Sequence, residues 1–311
     1  MKFIYGVDLG GTTVKLGRFN ENGEVIDKWE IQTIKENNGE RILPDIANTI
    51  KESMAKNNLT KDDVIGVGIG VPGPVDEKGV IYKAANLGWG VFSVKETLSN
   101  LLDGINTMAG NDANVAALGE MWKGGGQGYT NMVAVTLGTG VGGGIIINGK
   151  ILTGATGAGG EIGHIHVEDN EEAVCGCGNK GCLEQYSSAT GITRLANIRL
   201  EKDDKASVLR NGKVNAKEIW DAVKAGDELA IEVAKQFGEY LGKGLAAVAC
   251  VVNPEAFVIG GGVSKAGSVL IDYVQDEYKK YVFHGSRDAE FKLATLGNDA
   301  GIYGAAKLVL D

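Results

Sequence analysis

Apolar runs that break at once into glycine are the recurring pattern of this chain. The segments FIYGV (3–7), MVAV (132–135) and AFVI (256–259) each lead into a glycine-rich turn. These turns are DLGGTTVK from Asp8 to Lys15, TLGTGVGGG from Thr136 to Gly144, and IGGGVSKAG from Ile259 to Gly267. Short apolar runs bounded by turn residues predict buried strands. In GERILPDIANTIKESMAKNN the period changes, and Ile46, Ile50 and Met54 fall on one helical stripe. DDVIGVGIGVPGPVD predicts another buried strand, closed by a Pro-Gly turn. INTMAGNDANVAALGEMWKGG predicts a short strand that passes through Asn111 and Asp112 into a helix. AKEIWDAVKAGDELAIEVAKQFGEYLGKGLAAVACVV predicts successive helices, and GIYGAAKLVLD a closing one.

The first two glycine clusters also repeat each other in form. DLGGTTVKLGRFNENGEVIDKWEI and TLGTGVGGGIIINGKIL both read as strand, glycine turn, strand, Asn-Gly-type turn, strand. Such a repeat predicts an internal duplication and two similar α/β lobes, with a ligand expected in the cleft between them. A length of 311 residues suits about two domains. The expected division is a small N-terminal α/β lobe, 1–112, completed by the closing helix 299–311, and a large α/β lobe, 113–298.

Composition narrows the function class. No apolar stretch reaches a membrane span, because LGKGLAAVACVVNPEAFVIGGG is interrupted by Lys243, Asn253, Pro254 and Glu255. A net charge of −9 argues against general affinity for nucleic acid. MKFIYGVDLGGT meets glycine and aspartate before any useful apolar run, so no secretory signal is read and a cytoplasmic location is expected.

The chain has 48 glycines, gathered where backbone must approach something closely. Glycine turns after strands aim several backbone N–H groups at one point, which suits phosphate oxygens, and Thr12, Thr13 and Thr139 add hydroxyl donors. Two such loops imply a polyphosphate chain. Neither is a GxxxxGK[ST] loop, and no GxGxxG opens a dinucleotide-type unit. Any one turn alone reads as an ordinary hairpin; their joint occurrence carries the inference. Asp112, at a strand-to-helix junction, can be an N-cap, a catalytic carboxylate or both.

The densest chemistry lies in EIGHIHVEDNEEAVCGCGNKGCLE, from Glu161 to Glu184. His164, Cys175, Cys177 and Cys182 have the residue types and spacing of a tetrahedral zinc site. A disulfide or an unliganded polar loop is the alternative, but three thiols cannot all pair and a reducing compartment favours metal. His166 competes with His164, which is preferred because Gly163 frees its backbone and Glu161 is near. Cys250, in an apolar run, is assigned to the core. Four protein ligands leave zinc no open position, so the site would be structural. Glu161 and Glu184 can accept hydrogen bonds from hydroxyls, and a zinc-bound imidazole can present its second nitrogen in a fixed tautomer. That set suits a polyhydroxylated ligand; solvated or helix-capping glutamates are the plainer reading.

Together these motifs resemble the ROK family of sugar kinases and repressors, within the actin-like, hexokinase-like ATPase superfamily, and most closely its glucokinase branch. DLGGTTVK, GVPGPVD, NDANVAALGE, TLGTGVGGG, GEIGH with CGCGNKGCLE, and VIGGGVS occur in order over nearly the whole chain. The resemblance implies two actin-like (ribonuclease H-like) α/β lobes, mixed sheets flanked by helices. It implies transfer of the ATP γ-phosphoryl group to the 6-hydroxyl of glucose, with Asp112 as general base. Asn111, Glu161, His164, Glu184 and the backbone at Gly73 are implied to hold the sugar. Asp8 would position Mg2+; Gly10, Gly11, Thr12, Thr13, Lys15, Gly138, Thr139 and Gly140 would surround the ATP phosphates; and Gly261, Gly262 and Val263 would line the adenosine. His164, Cys175, Cys177 and Cys182 would hold structural zinc. Implied partners are a sugar, a nucleotide and a second copy of the chain through the large lobe, with no nucleic acid and no membrane. Related kinases act on fructose, mannose or N-acetylhexosamines, or use polyphosphate, but LEQYSSATG resembles the glucokinases more than the N-acetylmannosamine enzymes. The family's repressors carry a helix-turn-helix ahead of the first phosphate loop; here that loop begins at Asp8, so a kinase is expected.

Overall fold

Each repeated hairpin pattern becomes the antiparallel half of a five-stranded sheet in the computed structural model, which describes residues 2–311. The first sheet begins with β1 (Phe3–Leu9), β2 (Thr13–Asn20), β3 (Val25–Gln32) and β4 (Val64–Val71). A small ribbon of β5 (Val80–Ile81) and β6 (Phe92–Ser93) precedes β7 (Thr107–Asn111), giving the order β3-β2-β1-β4-β7. The second sheet contains β8 (Met132–Leu137), β9 (Val141–Ile147), β10 (Lys150–Ile151), β11 (Ala256–Gly260) and β12 (Glu290–Leu293), in the order β10-β9-β8-β11-β12. β1, β4 and β7 run parallel, and so do β8, β11 and β12. The duplication read from the glycine turns therefore reappears in the strand order. Asn148 and Gly149, with φ of 52° and 76°, make the tight turn from β9 to β10 that the Asn-Gly signal predicts.

The helical segments are α1 (Glu36–Gly39), a single turn in which Asn37, Asn38 and Gly39 have positive φ, α2 (Ile42–Lys56), α3 (Val94–Leu101), α4 (Asp112–Lys123) and the one-turn α5 (Glu184–Ser187). They continue with α6 (Ala189–Glu201), α7 (Ala216–Lys224), α8 (Glu228–Val252), α9 (Ser268–Tyr281) and α10 (Ala300–Leu310). Among the described residues, no helix is long and apolar enough to cross a membrane. The chain divides into two units, one comprising the chain up to Gly128 with Gly144–Gly160 and Leu296–Asp311, the other Tyr129–Gly143 with Glu161–Thr295.

In the first unit, the alternation in β4 decides the packing. Val67, Ile69 and Val71 join Ile46, Ile50 and Met54 of α2 in one core cluster, as the helical stripe predicts. Glycines 66, 68 and 70 alternate with these valines and isoleucine and so line the opposite face of the strand. A Cβ on Gly68 would fall 1.7 Å from the Ala305 carbonyl oxygen of α10, and one on Gly304 would fall 1.6 Å from that of Val115 in α4. Backbone therefore lies on backbone, and α10 packs on β1, β4 and α4, with Ile4, Phe19, Ile302 and Ala306 in a small cluster of their own. Because α4 is held in this way, the first unit runs past residue 112 to Gly128. The buried Glu120 adds a polar tie, accepting from Leu296 N–H and Gly125 N–H, each at 2.9 Å.

In the second unit, α8 buries Leu245, Val248 and Ala249 but turns Cys250 outward. The assignment of Cys250 to the core is corrected: the apolar run GLAAVACVV is helical, so its residues do not share one face.

Gly68→Ala should lower the unfolding free energy measured in urea by about 3 kcal/mol, because the contacted atoms are backbone and cannot turn aside. Gly212→Ala, where an added Cβ meets nothing within 4 Å, should change it by less than about 0.5 kcal/mol. Equal effects of the two substitutions would refute the close-packing account.

Candidate functional site

The parallel strands of the first sheet end together. Asp8 of β1 pairs in register with Gly70 of β4, and Gly70 with Gly110 of β7, so three carboxyl ends lie side by side. In open α/β sheets that edge is where ligands are received. β1 leads into the Gly10–Thr13 turn, closed by a bond from Gly10 N–H to the Thr13 carbonyl at 3.0 Å. Thr33 reinforces the turn, its hydroxyl donating to the Gly10 carbonyl at 2.8 Å. Lys15 pairs across the hairpin with Asp8, and its ammonium donates to the Asn298 carbonyl at 3.2 Å. The Asp8 carboxyl group is packed so closely on α10 that a Cβ on Gly301 would lie 2.4 Å from its Cγ. Burial raises the Asp8 carboxyl above its ordinary value, opposed by the Lys15 charge.

β4 and β7 supply the second part of this edge. Gly73, with φ of +129°, turns the chain after β4, and its carbonyl accepts from the Asn111 amide at 3.1 Å. Asn111 is the N-cap of α4, its side-chain oxygen accepting from Asn114 N–H at 3.1 Å. Asp112 follows as the first residue of α4, its Oδ1 accepting from Ala113 N–H at 2.8 Å. The helix N-terminus favours a negative charge there. Asn111 and Asp112 thus each engage a backbone N–H of the first turn of α4. Asp8, Gly10–Thr13, Lys15, Gly73, Asn111 and Asp112 are thus brought together within the first unit.

The second unit repeats this edge with other residues. β8 and β11 end in register at Thr136 and Gly260, and their glycine turns adjoin. Gly261, with φ of +84°, sits so near β8 that a Cβ would fall 2.5 Å from the Leu137 carbonyl oxygen. The Gly138–Gly140 turn is closed by Gly138 N–H donating to the Gly140 carbonyl at 3.0 Å. The start of α6 holds it: Ala189 N–H donates to the Gly138 carbonyl at 2.8 Å, and the Thr190 hydroxyl to that of Thr139 at 2.6 Å. Beside Thr139 opens a cleft of about 490 Å³ lined by Thr190, Thr193, Arg194, Asn197 and Lys217 among others. Sequence reading missed these α6 and α7 residues, because no glycine signal marks them.

The Glu161–Glu184 segment folds onto the same unit. One ligand atom from each of His164, Cys175, Cys177 and Cys182 lies within 4.8 Å of the others. The Cys177 and Cys182 sulfurs are 3.6 Å apart, and Cys175 Sγ is 3.7 Å from His164 Nδ1. A tetrahedron with metal–sulfur bonds of about 2.3 Å has edges of roughly this length. The donor set therefore fits zinc. A tight turn makes the spacing possible, with Cys175 N–H on the Asn179 carbonyl at 2.7 Å and Gly178 N–H on the Cys175 carbonyl at 2.8 Å. His166 is engaged elsewhere: its ring nitrogens lie 3.0 Å from the Lys180 carbonyl and 2.9 Å from Asp169. Glu184 touches the cluster through Oε1, 2.9 Å from Cys175 Sγ, while its Oε2 crowds Gly140, where a Cβ would fall 2.4 Å away. Glu161 is exposed and precedes the single turn that carries His164. With Nδ1 turned to the thiols, His164 keeps Nε2 on its outer side, and its side chain is 36% exposed.

The profile of the ROK family matches residues 4–311. The glucokinase of Halalkalibacterium halodurans is 44% identical over 99% of this chain and 95% of its own length. A ROK hexokinase from Thermus thermophilus superimposes with a TM-score of 0.81 at 30% identity, covering 98% of this chain and 97% of that one. A ROK family glucokinase from Streptomyces griseus, in complex with glucose and AMPPNP, superimposes with a TM-score of 0.73 at 34% identity, covering 98% of both chains.

The raised Asp8 carboxyl fixes the sign of a pH effect. A group whose folded pKa lies above its unfolded one gives up stability as pH rises through the folded value. Asp8→Asn should therefore raise the melting temperature at pH 7 and raise it progressively less as pH falls below the ordinary carboxyl value of 3.8, where the Asp8 carboxyl becomes protonated in the unfolded state as well. A gain of the same size throughout this pH range would show that burial of charge is not what strains this position.

Proposed function

The chain belongs to the ROK family, and on that premise we propose that it is an ATP-dependent glucokinase. It moves the γ-phosphoryl group of ATP to the 6-hydroxyl of glucose. The observation that carries the reading is the Asn111–Asp112 junction: a carboxylate at a helix N-terminus, beside the Gly73 turn that Asn111 binds. It occurs in a chain 44% identical over nearly its full length to a glucokinase.

In the proposed mechanism Asp112 accepts the proton of the sugar's 6-hydroxyl as that oxygen bonds to the γ-phosphorus. The bond from this phosphorus to the β,γ-bridging oxygen breaks, and ADP leaves with the electron pair. Asn111, the Gly73 backbone, Glu161, Glu184 and His164 Nε2 orient the sugar hydroxyls, so that the reacting oxygen is held rather than found by diffusion. Gly10, Gly11, Thr12, Thr13, Lys15, Gly138, Thr139 and Gly140 cradle the phosphates with N–H, hydroxyl and ammonium donors. Gly261, Gly262 and Val263 line the nucleoside. Asp8 offers the hard carboxylate oxygen that suits Mg2+. Bound Mg2+ supplies charge neutralisation on the phosphates. His164, Cys175, Cys177 and Cys182 hold structural zinc, which supplies rigidity to the segment between Glu161 and Glu184. The same proposal includes a cytoplasmic homodimer: all four cysteines are unpaired, as a reducing compartment requires. Val251 and Phe283, 84% and 58% exposed, offer apolar surface for self-association.

A coupled assay of ADP release over a panel of hexoses, with ATP and polyphosphate as donors, should show glucose with ATP as the best pair; a higher kcat/KM for another pair would refute the assignment. Asp112→Ala should lower kcat about 1,000-fold while leaving the glucose Kd within about three-fold. Near-normal turnover would remove Asp112 from the role of base. Cys177→Ser should lose zinc and raise the glucose KM about ten-fold. A zinc-free protein with unchanged glucose affinity would separate the metal from the sugar side.

A further inference from the structure

Glu171 is the one strongly buried carboxylate of the metal-cluster loop, and the mechanism above gives it no task. Its side chain is 4% exposed. Oε1 accepts from Ala173 N–H at 2.8 Å, and Oε2 accepts from the Tyr186 hydroxyl and from Arg194 Nη2, the latter at 2.5 Å. Burial alone would raise this carboxyl, but the donors from Tyr186, Ala173 and Arg194 outweigh it and hold the group below the usual glutamate range. A buried charge so fully paired is costly to disturb, because removing one partner strands the others.

Two of these partners lead to the helix that bears Glu184: Tyr186 lies on it, and Arg194 Nη1 also donates to the Gln185 carbonyl at 3.4 Å. Tyr186 is two residues after Glu184 on this one-turn helix, α5. So short a helix cannot hold its own orientation and must be fixed from outside. Gln185 ties α5 to the loop, its amide nitrogen donating to the Ala173 carbonyl at 2.9 Å and its oxygen accepting from Cys182 N–H at 3.0 Å. Tyr186 stacks on Tyr240 of α8 with ring centroids 4.0 Å apart, and the Tyr240 hydroxyl donates to Glu168 at 2.9 Å. Arg194 belongs to α6, which is joined to α5 at Ser188, the cap of α6 whose hydroxyl donates to the Glu184 carbonyl at 2.7 Å, and which is anchored further by Ala189 N–H on the Gly138 carbonyl. α6 is therefore the frame, Arg194 the arm, and Glu171 the joint between the loop and the turn that bears Glu184.

We infer that Glu171 is a positioning residue for sugar binding, acting through Tyr186 and Arg194 to fix the direction of the Glu184 carboxylate. The inference rests on the reading of Glu184 as a partner of sugar hydroxyls. It identifies Arg194 and Tyr186 as members of the same unit, although neither touches the ligand in this scheme.

The test uses the full-length, zinc-loaded enzyme with glucose and ATP. Glu171→Gln should raise the glucose KM about ten-fold, leaving the ATP KM and the zinc content unchanged. Tyr186→Phe, which removes one donor at nearly constant volume, should raise it about three-fold and serves if Glu171→Gln does not fold. Adding Glu171→Gln to a Glu184→Gln enzyme should have no further effect on glucose, since the two act through one group. Equal changes in both KM values, or a full additional loss in the double variant, would overturn the inference and leave Glu171 a structural residue only. The two readings fail differently. An unchanged glucose KM in Glu184→Gln removes Glu184 from the sugar site and the inference with it. A raised KM in Glu184→Gln, beside normal glucose binding in Glu171→Gln and Tyr186→Phe, removes the inference alone.

Discussion

Backbone can touch backbone only where no side chain intervenes, and both units of this protein are arranged around that constraint. In the first unit, Gly68 and Gly304 let α10 lie directly on β4 and α4, where a Cβ would be less than 2 Å from a carbonyl oxygen. That contact sets the first turn of α10 beside Asp8 and the first turn of α4 beside the Gly73 loop. In the second unit, Gly261 meets Leu137 and Gly140 meets the Glu184 carboxylate in the same manner. The glycines therefore do more than permit turns. They determine how near the charged groups come to the loops proposed to receive phosphate.

The second constraint is electrostatic and acts on the Glu161–Glu184 segment. Burial pushes the Cys175 thiol up to about 12, and the adjoining Glu184 carboxylate adds to the rise. Burial and Cys177 raise the Cys182 thiol as well, whereas the Asn179 backbone N–H and the neighbouring thiols hold Cys177 below its ordinary value, so the cluster by itself does not favour three thiolates at once. A dication reverses that logic, because it stabilises thiolates outright and turns mutual repulsion into shared attraction. Glu184 then belongs to two neighbourhoods at once, with one oxygen toward the cluster and the other toward the Gly140 turn. Its direction is a consequence of what surrounds it, which is why the pairing of buried Glu171 with half-buried Arg194 matters although it lies outside the cluster.

Much of this was legible from local sequence. The two sheets follow from apolar runs ended by glycine, the β9–β10 turn from Asn148-Gly149, and the α2 stripe from Ile46, Ile50 and Met54. The gathering of His164 with three cysteines followed from residue type and spacing, and the preference for His164 over His166 agrees with the separate hydrogen bonds His166 makes. Contacts across long stretches of chain were not legible. Nothing local announces that Gly301 will adjoin Asp8, that Lys15 will reach Asn298, or that Thr190 will bind the Thr139 carbonyl. Glu171 read as one more acid in a charged loop, since its burial depends on Tyr186 and Arg194 arriving from two later helices. Cys250 was misassigned for a related reason: an apolar run near a helix end says little about which residue faces inward.

The duplicated sheet also separates what is general in this protein from what is particular. Both sheets end their parallel strands at one edge and offer glycine turns there, a framework suited to any ligand with phosphate oxygens. The differences lie in the insertions. The first sheet spends its insertion after β4, on the Gly73 turn and the β5–β6 ribbon, and then delivers Asn111 and Asp112 at the end of β7. The second leaves β10 for the metal-cluster segment before α6 begins. Recognition of a particular sugar needs hydroxyl partners held to within a few tenths of an ångström, which a bare glycine turn cannot supply. A loop that a metal on His164 and three cysteines would clamp, and that the Glu171–Arg194 pair ties to α6, is suited to do so. Specificity in this chain is thus expected to reside in residues 161–184 and their supports, while each repeated sheet is expected to offer its own glycine turns to phosphate oxygens.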